Sequence, residues 1–382
     1  MIFLVIEFLD ELIYGISEAA WPLIRDDLHL SYLQIGIALS LPGFLANFIE
    51  PFLFTLGDVW KRRVIILTGG LFFTISLILT GVSTSFALFL FSYILFHPSS
   101  GAFVSLSQAS LMDLQPERRE QNMARWTFAG SIGIFIGPIL LSGAAYIGFG
   151  WRGMFFGLAL LSTFVLIYAW KRISPDNIQV VSFPHFGEII DQFKLTFRAL
   201  RSWTVVRWLV LLEFSDLMLD VLYSLLPLYF VDVAGFSPSQ AALSVALWTG
   251  IGLLGDFLLI PLVERFNGLD YLRVSVTIEL ILFPLFLLSS QAWLKLIIIA
   301  LMGFFNSGWY SILKANLYEA MQGQSGAVLT LDNISGMFGK LIPLGIGFAA
   351  QSFGLATAMW FLLAGPVALF IGLPRKDLKA RT

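Results

Sequence analysis

Residues 4–14 read Leu4-Val5-Ile6-Glu7-Phe8-Leu9-Asp10-Glu11-Leu12-Ile13-Tyr14, and residues 210–223 read Val210-Leu211-Leu212-Glu213-Phe214-Ser215-Asp216-Leu217-Met218-Leu219-Asp220-Val221-Leu222-Tyr223. Both are apolar runs that carry carboxylates at matching places. Sliding the chain by 206 residues lays Glu7 on Glu213, Phe8 on Phe214 and Asp10 on Asp216. The same offset carries Asp26 to Asp232, Ser31 to Ser237, Gln34 to Gln240, Glu50 to Asp256, Asp58 to Glu264, Ser105 to Ser311 and Asp113 to Glu319. Of the eleven acids between residues 1 and 120, six meet another acid, where chance (11 × 11/176) gives about 0.7. The chain is a duplication.

Composition says what solvent the two halves face. Of 382 residues, 58% are hydrophobic, 15% aromatic and 13% charged, about half the roughly 25% charge of soluble domains. That excludes a soluble protein. The absence of cysteine excludes disulfides, thiolate metal sites and cysteine nucleophiles, and three histidines supply no zinc ligand set. Neither metal nor cofactor is expected. The net charge of −2 identifies no partner, and nothing points to nucleic acid.

A helix needs about 20 apolar residues to cross the hydrocarbon, and lipid leaves no backbone group unpaired. Twelve runs meet that need: 1–21, 32–56, 63–82, 86–112, 124–147, 152–170, 204–230, 239–262, 272–290, 293–317, 327–349 and 355–373. Eighteen Lys and Arg fall on one side of this array. The other side receives Arg25, Arg152 and Lys295, and Lys314 and Lys340 lie inside spans. The positive-inside rule puts both termini in the cytoplasm of a multi-pass protein of the plasma membrane. Glu7, Asp10 and Glu11 stand where a signal peptide would be apolar, so the start reads as a first spanning helix, with start-site choice leaving open residues upstream of Met1.

Three parts follow: a six-helix bundle at 1–170, a cytoplasmic linker at 171–203, and a second bundle with a short tail at 204–382. In the linker, Phe186, Ile189, Ile190, Phe193, Phe197 and Leu200 recur at helical spacing, which suits a helix lying on the membrane face. An even number of spans separates equivalent positions, so the halves share one orientation about an axis along the membrane normal. The fold expected is an all-α membrane protein of 12 transmembrane helices in two bundles with pseudo-two-fold symmetry. A cavity between such bundles at the midplane is a transporter's architecture.

The loop Thr55-Leu56-Gly57-Asp58-Val59-Trp60-Lys61-Arg62-Arg63 is similar to the Gly-x-Leu-Ala-Asp-Arg-x-Gly-Arg-Arg/Lys signature of the major facilitator superfamily. Asp58, Arg62 and Arg63 match, while Phe54, Val59 and Lys61 replace the usual Gly, Arg and Gly. Leu262-Val263-Glu264-Arg265-Phe266-Asn267-Gly268 keeps the acid, the Arg and the Gly, and Asp113-Leu114-Gln115-Pro116-Glu117-Arg118-Arg119 resembles the family's acid-to-Arg turn. The resemblance implies that Asp58, Arg62, Arg63, Asp113, Arg118, Glu264 and Arg265 gate the cytoplasmic side. Gly133-x-x-x-Gly137-Pro138 resembles part of the family's antiporter signature, with Leu141 and Ser142 in place of its Gly pair. Close helix packing explains the same letters. Gly250-Ile251-Gly252-Leu253-Leu254-Gly255 fits a dinucleotide fingerprint only by letter, since no strand precedes it.

Carboxylates inside the spans cost about 2.5–3.5 kcal/mol each at a helix centre. Glu7, Asp10, Glu11 and Tyr14 lie at i, i+3, i+4 and i+7 of the first helix, and Glu213, Asp216, Asp220 and Tyr223 form the corresponding stripe of the seventh. The resemblance places the first, fourth, seventh and tenth helices around the central cavity, so the two stripes would oppose one another across it. Glu50 and Asp256 join them from the second and eighth helices. Carboxylates crowded in a partly dry cavity exchange protons as a group, which is the chemistry of proton coupling. His97, beside Pro98, reads either as a proton relay or as a kink residue. Asn306, Trp309 and Tyr310 share a face that suits a cation. Asp332 and Lys340 form either a structural or a coupling pair. Glu279, on a peripheral helix, reads either as structural or as part of the coupling set, with the structural role favoured.

The reading is a monomeric proton-coupled antiporter that exports a cationic or zwitterionic drug-like molecule. Its partners are that substrate, protons and the bilayer. A proton symporter for a polar nutrient and a divalent-metal exporter share the fold. An embedded enzyme or receptor lacks support, since no Gly-x-Ser-x-Gly, His-Glu-x-x-His or phosphate loop occurs.

Overall fold

The computed structural model describes residues 1–59, 61–114, 119–173, 199–321 and 325–374, and every regular element among them is helical. The first half runs α1 (Ile2–Ala19), α2 (Trp21–Leu28), α3 (Tyr32–Val59), α4 (Arg62–Val82), α5 (Phe86–Ser100), a π-helical turn (Gly101–Ser105), α6 (Leu106–Leu114), α7 (Arg119–Tyr146) and α8 (Gly150–Arg172). The second runs α9 (Trp203–Asp216), a second π-helical turn (Leu217–Val221), α10 (Leu222–Asp232), α11 (Pro238–Arg265), α12 (Gly268–Leu288), α13 (Ala292–Asn306), α14 (Trp309–Ala320), α15 (Ser325–Gly339) and α16 (Ile342–Phe353). It ends with α17 (Leu355–Ala358), a 3₁₀ turn (Met359–Leu363) and α18 (Ala364–Gly372). The expected linker helix and the basic tail beyond residue 374 lie outside the described residues.

Nine helical stretches among the described residues are long and apolar enough to cross a membrane. The expected spans missing from that set are the first, seventh and eleventh, which carry most of the intramembrane charges. The eleventh is also broken, since α15 stops at Gly339 and α16 restarts at Ile342 with Pro343 in its first turn, where a missing N–H costs nothing. The tenth, expected as one run, breaks at Ser307 and Gly308: Ser307 is outside helical geometry, and Gly308 takes φ +73, open to glycine at no steric cost. In the fourth, Pro98 removes one N–H from the ladder, and the register relaxes into the π turn three residues later.

The duplication is visible in local structure. At the start of α3, Ser31 N–H donates to Gln34 Oε1 at 2.9 Å while Gln34 N–H donates to Ser31 Oγ at 3.2 Å. At the start of α11, Ser237 and Gln240 repeat this reciprocal cap at 2.9 and 3.3 Å. The π turn at Gly101 and the break at Ser307 also stand 206 residues apart.

The chain packs as two compact units. One holds α1 to α8 with the segments Ser224–Thr249 and Lys340–Ala358; the other holds α9 and its π turn, Gly250–Gly339, and the chain from Met359. Within the first, α1 lies against α7 along a glycine seam. A Cβ on Gly133 would sit 2.7 Å from the Phe8 carbonyl oxygen, and one on Gly137 would sit 2.8 Å from Ile16 N. Gly15 on α1 completes the seam, 2.8 Å from the Ile134 carbonyl on the same measure. The Gly133-x-x-x-Gly137 motif is therefore used for backbone approach. Gly36 and Gly347 let α3 and α16 approach in the same way. Within the second unit, Gly365 of α18 packs on Phe214 and Leu217, and Gly255 of α11 packs against the break at Ser307.

Candidate functional site

Half-buried polar side chains in the first unit gather where α1, α3 and α5 meet, and the exposed Lys340 reaches them. Ser100 Oγ donates to Asp10 Oδ1 at 2.9 Å. The neighbouring Gly101 opens the π turn, and a Cβ there would lie 2.8 Å from Glu50 Oε1, so the Glu50 carboxyl rests on bare backbone. The charge of Asp10 reaches Glu50, and that of Lys340 reaches both Glu50 and His97. The Lys340 stem crosses Gly43, 3.3 Å from a Cβ built there. His97 packs edge-on against Phe96, ring centroids 5.9 Å apart. Two carboxyls, one imidazole and one ammonium are thus brought together. Crowding two carboxyls beside one cation leaves the net charge of the group dependent on bound protons and ligand.

The other acids of α1 face elsewhere. Glu7, buried at 7% exposure, accepts from the Trp126 indole and lies against Gly130 of α7. Glu11 lies against Gly130 and Gly133. Tyr14 is half-buried one turn further on. The first stripe thus fronts two neighbours, α7 for Glu7 and Glu11 and α5 for Asp10.

In the second unit the matching positions form a related arrangement. Asp256, equivalent to Glu50, accepts from the Gly308 backbone N–H at 3.0 Å. The Tyr271 hydroxyl reaches Ser307 Oγ at 3.2 Å and the Phe305 and Ser307 carbonyls at 3.4 and 3.2 Å. Asn306, equivalent to Ser100, donates to the Met218 carbonyl at 3.4 Å, inside the π turn that follows Asp216. Each half therefore sets the acid of its second span at the irregular point of its fourth, and ties that span to its first by the preceding polar residue. Glu213 lies against Gly339, Asp216 ends α9, and Asp220 sits within the π turn. Tyr310 is 48% exposed, with Lys314 Nζ 5.6 Å from its ring.

Of the gating residues, the side chains of Asp58, Asp113, Arg118 and Glu264 lie outside the described residues, as does that of Asp332. Arg62 Nε donates to the Gly57 carbonyl at 3.2 Å, and Arg63 Nη2 donates to the Trp170 carbonyl at 2.7 Å. Both cap helix C-termini, a favourable place for cations. Arg265 ends α11 in the same sense.

A second polar network, at the Arg25 end of the first unit, was not expected from the sequence. Arg25 pairs with Asp232 through Nη1 and with Asp26 through Nε and Nη2 at 2.9 and 2.7 Å, and the Tyr32 hydroxyl also donates to Asp232. Burial opposes the Arg25 charge, but the hydrogen bonds of Asp232 and Asp26 outweigh it and raise the pKa above the ordinary arginine value. In the same unit, the Ser142 and Ser239 hydroxyls meet at 2.8 Å, and Leu344 N–H donates to Ser40 Oγ at 2.9 Å. The signal lay in Arg25 being one of three basic residues on its side, next to an acid that the repeat pairs with Asp232.

With this geometry the chain can be set beside known proteins. A model described as Major Facilitator Superfamily matches residues 3–343. The quinolone resistance protein NorA of Staphylococcus aureus (strain COL) is 22% identical over 288 residues, which cover 73% of this chain and 71% of NorA. A bacterial homologue of the human lysosomal transporter Spinster, crystallised inward-facing and unoccupied, superposes with a TM-score of 0.76 at 16% identity, over 97% of this chain and 94% of the homologue. A mutant of the nucleoside transporter NupG superposes with a TM-score of 0.79 at 13% identity, over 97% and 98% of the two chains. The structural likenesses establish the fold, and the family match spans nearly the whole sequence: the chain belongs to the Major Facilitator Superfamily of multi-pass membrane transporters.

Proposed function

We propose that this transporter is a proton-coupled antiporter of the plasma membrane that exports a cationic or zwitterionic drug-like molecule. The observation that carries the reading is the Asp10 and Ser100 pair beside Glu50, His97 and Lys340. A carboxylate that takes a proton from one side and exchanges it for a cationic substrate on the other suffices for antiport. Asp216, Asp220 and Asp256 supply acids from the second half, with Glu7 and Glu11 on the side of α1 that faces α7. The relative named for quinolone resistance supports a drug-like cargo.

The reading takes the halves as bundles at 1–170 and 204–382 joined by a linker at 171–203, with both termini cytoplasmic and the Arg25 side facing out. The Arg25–Asp232 network and the Ser142–Ser239 pair then act as the outer gate, and Asp58, Arg62, Arg63, Asp113, Arg118, Glu264 and Arg265 as the inner one. Alternating access breaks one set while the other holds. The test is the purified protein in liposomes under a pH gradient with organic cations and divalent metals supplied in turn. An organic cation that drives protons the opposite way supports the reading, and proton movement in the same direction makes the protein a symporter.

A further inference from the structure

Glu279 stands on the buried face of α12, with Leu272, Ser275, Val276, Phe283 and Phe286, and is 0% exposed. Among the described residues neither of its carboxylate oxygens has a hydrogen-bond partner. One turn away, the fully buried Trp309 donates to Ser275 Oγ at 2.8 Å and ties α14 to α12.

The duplication shows what the fold needs at this place. The position 206 residues earlier is Phe73, also 0% exposed, stacked on Phe96 at 4.9 Å and tilted against Phe103 at 5.6 Å. The equivalents of those two partners are Met302 and Trp309, both fully buried. The first half therefore fills this core position with a ring, and the second fills it with a carboxyl that has no hydrogen-bond partner among the described residues. Packing does not call for an acid here.

Among the described residues, the groups facing it offer no counter-charge. The 3₁₀ turn and α18, which pack on α12, carry no titratable side chain. On α13, Lys295 Nζ donates to the Phe286 carbonyl at 2.6 Å, seven residues or about 10 Å along the helix from Glu279. On α14, Lys314 lies against the Tyr310 ring, and Tyr318 and Glu319 lie further toward that helix's end. On α12 itself, Asp270 and Arg273 pair with one another, and the Tyr271 hydroxyl is held at the Ser307 break. A bare carboxylate in such a place is strongly disfavoured, whereas the neutral acid is tolerated.

We propose that Glu279 is a proton-binding site of the transporter, neutral while α12 is packed on α13 and α14, and releasing its proton to entering water only when those helices part. This rests on the proton-coupled reading above and adds a site that lies outside the Asp10 group. Because α14 begins at the Ser307–Gly308 break that Asp256 and Tyr271 hold, the proton on Glu279 is linked to the shape of the tenth span.

Two measurements on the full chain test this. Infrared spectra of the purified protein at neutral pH are expected to show a protonated-carboxyl C=O band that Glu279→Gln removes. In liposomes, Glu279→Gln is expected to keep ethidium counterflow but to lose pH-driven uphill ethidium transport by about tenfold or more. Glu279→Leu serves the same purpose if the amide variant does not fold. A wild-type spectrum without that band, or a variant that pumps ethidium uphill as wild type does, overturns the proposal. Wild-type liposomes in which a pH gradient moves no cation overturn the proton-coupled reading itself, while the infrared comparison still reads Glu279 alone.

Discussion

Arg25 and Asp232, 207 residues apart in sequence, form a direct ion pair that the Tyr32 hydroxyl joins from a third helix. Both charged side chains are 17% exposed, so the pair is shielded more than the surface bridges that contribute little. A double-mutant cycle with Arg25→Gln and Asp232→Asn is expected to give a coupling of about 0.5–3 kcal/mol in thermal unfolding. Additive single effects would show that the pair holds nothing together.

The Ser142 and Ser239 hydroxyls meet at 2.8 Å, and the native chain has no cysteine to compete. Ser142→Cys with Ser239→Cys is therefore expected to oxidise to an internal disulfide, stopping transport until a reductant is added. Full cross-linking with undiminished transport would mean that these segments never separate.

The duplication, nine of the twelve expected spans and the pairing of acids were legible because lipid imposes a length on helices and a cost on charges, and both leave marks in sequence. The direction each acid faces was not. Glu7, Asp10 and Glu11 share one stripe of α1, yet Asp10 meets Ser100 while Glu7 and Glu11 meet α7. A stripe that wide can touch two neighbours, and only packing divides it. Gly133 and Gly137 were ambiguous for a related reason: small residues allow either close approach or a special role, and the Phe8 and Ile16 backbones at these positions show close approach. The break at Ser307 and Gly308 carried no proline, so a run of apolar residues masked it.

The glycine seam is expected to be intolerant. Gly133→Ala and Gly137→Ala each drive a methyl into backbone on α1, costing about 1–3 kcal/mol of stability in detergent. Gly143→Ala meets nothing within 4 Å and is expected to be neutral or to gain up to about 1 kcal/mol through helix propensity. Equal thermal midpoints for all three variants would count against the seam.

Ser100→Ala removes the hydroxyl that donates to Asp10, a bond of about 1.5–3 kcal/mol for a charged acceptor. Cation transport driven by a pH gradient is then expected to fall about tenfold, with the fold retained. Transport at the wild-type rate would separate Ser100 from the coupling group.

The most direct test is proton flux across liposomes holding wild type, Asp10→Asn or Asp216→Asn, each challenged with a panel of organic cations under an imposed pH gradient. Antiport predicts that at least one cation drives protons in the opposite direction through wild type and that the flux is abolished in both variants. Substrate-driven flux of wild-type size in both variants would contradict the account.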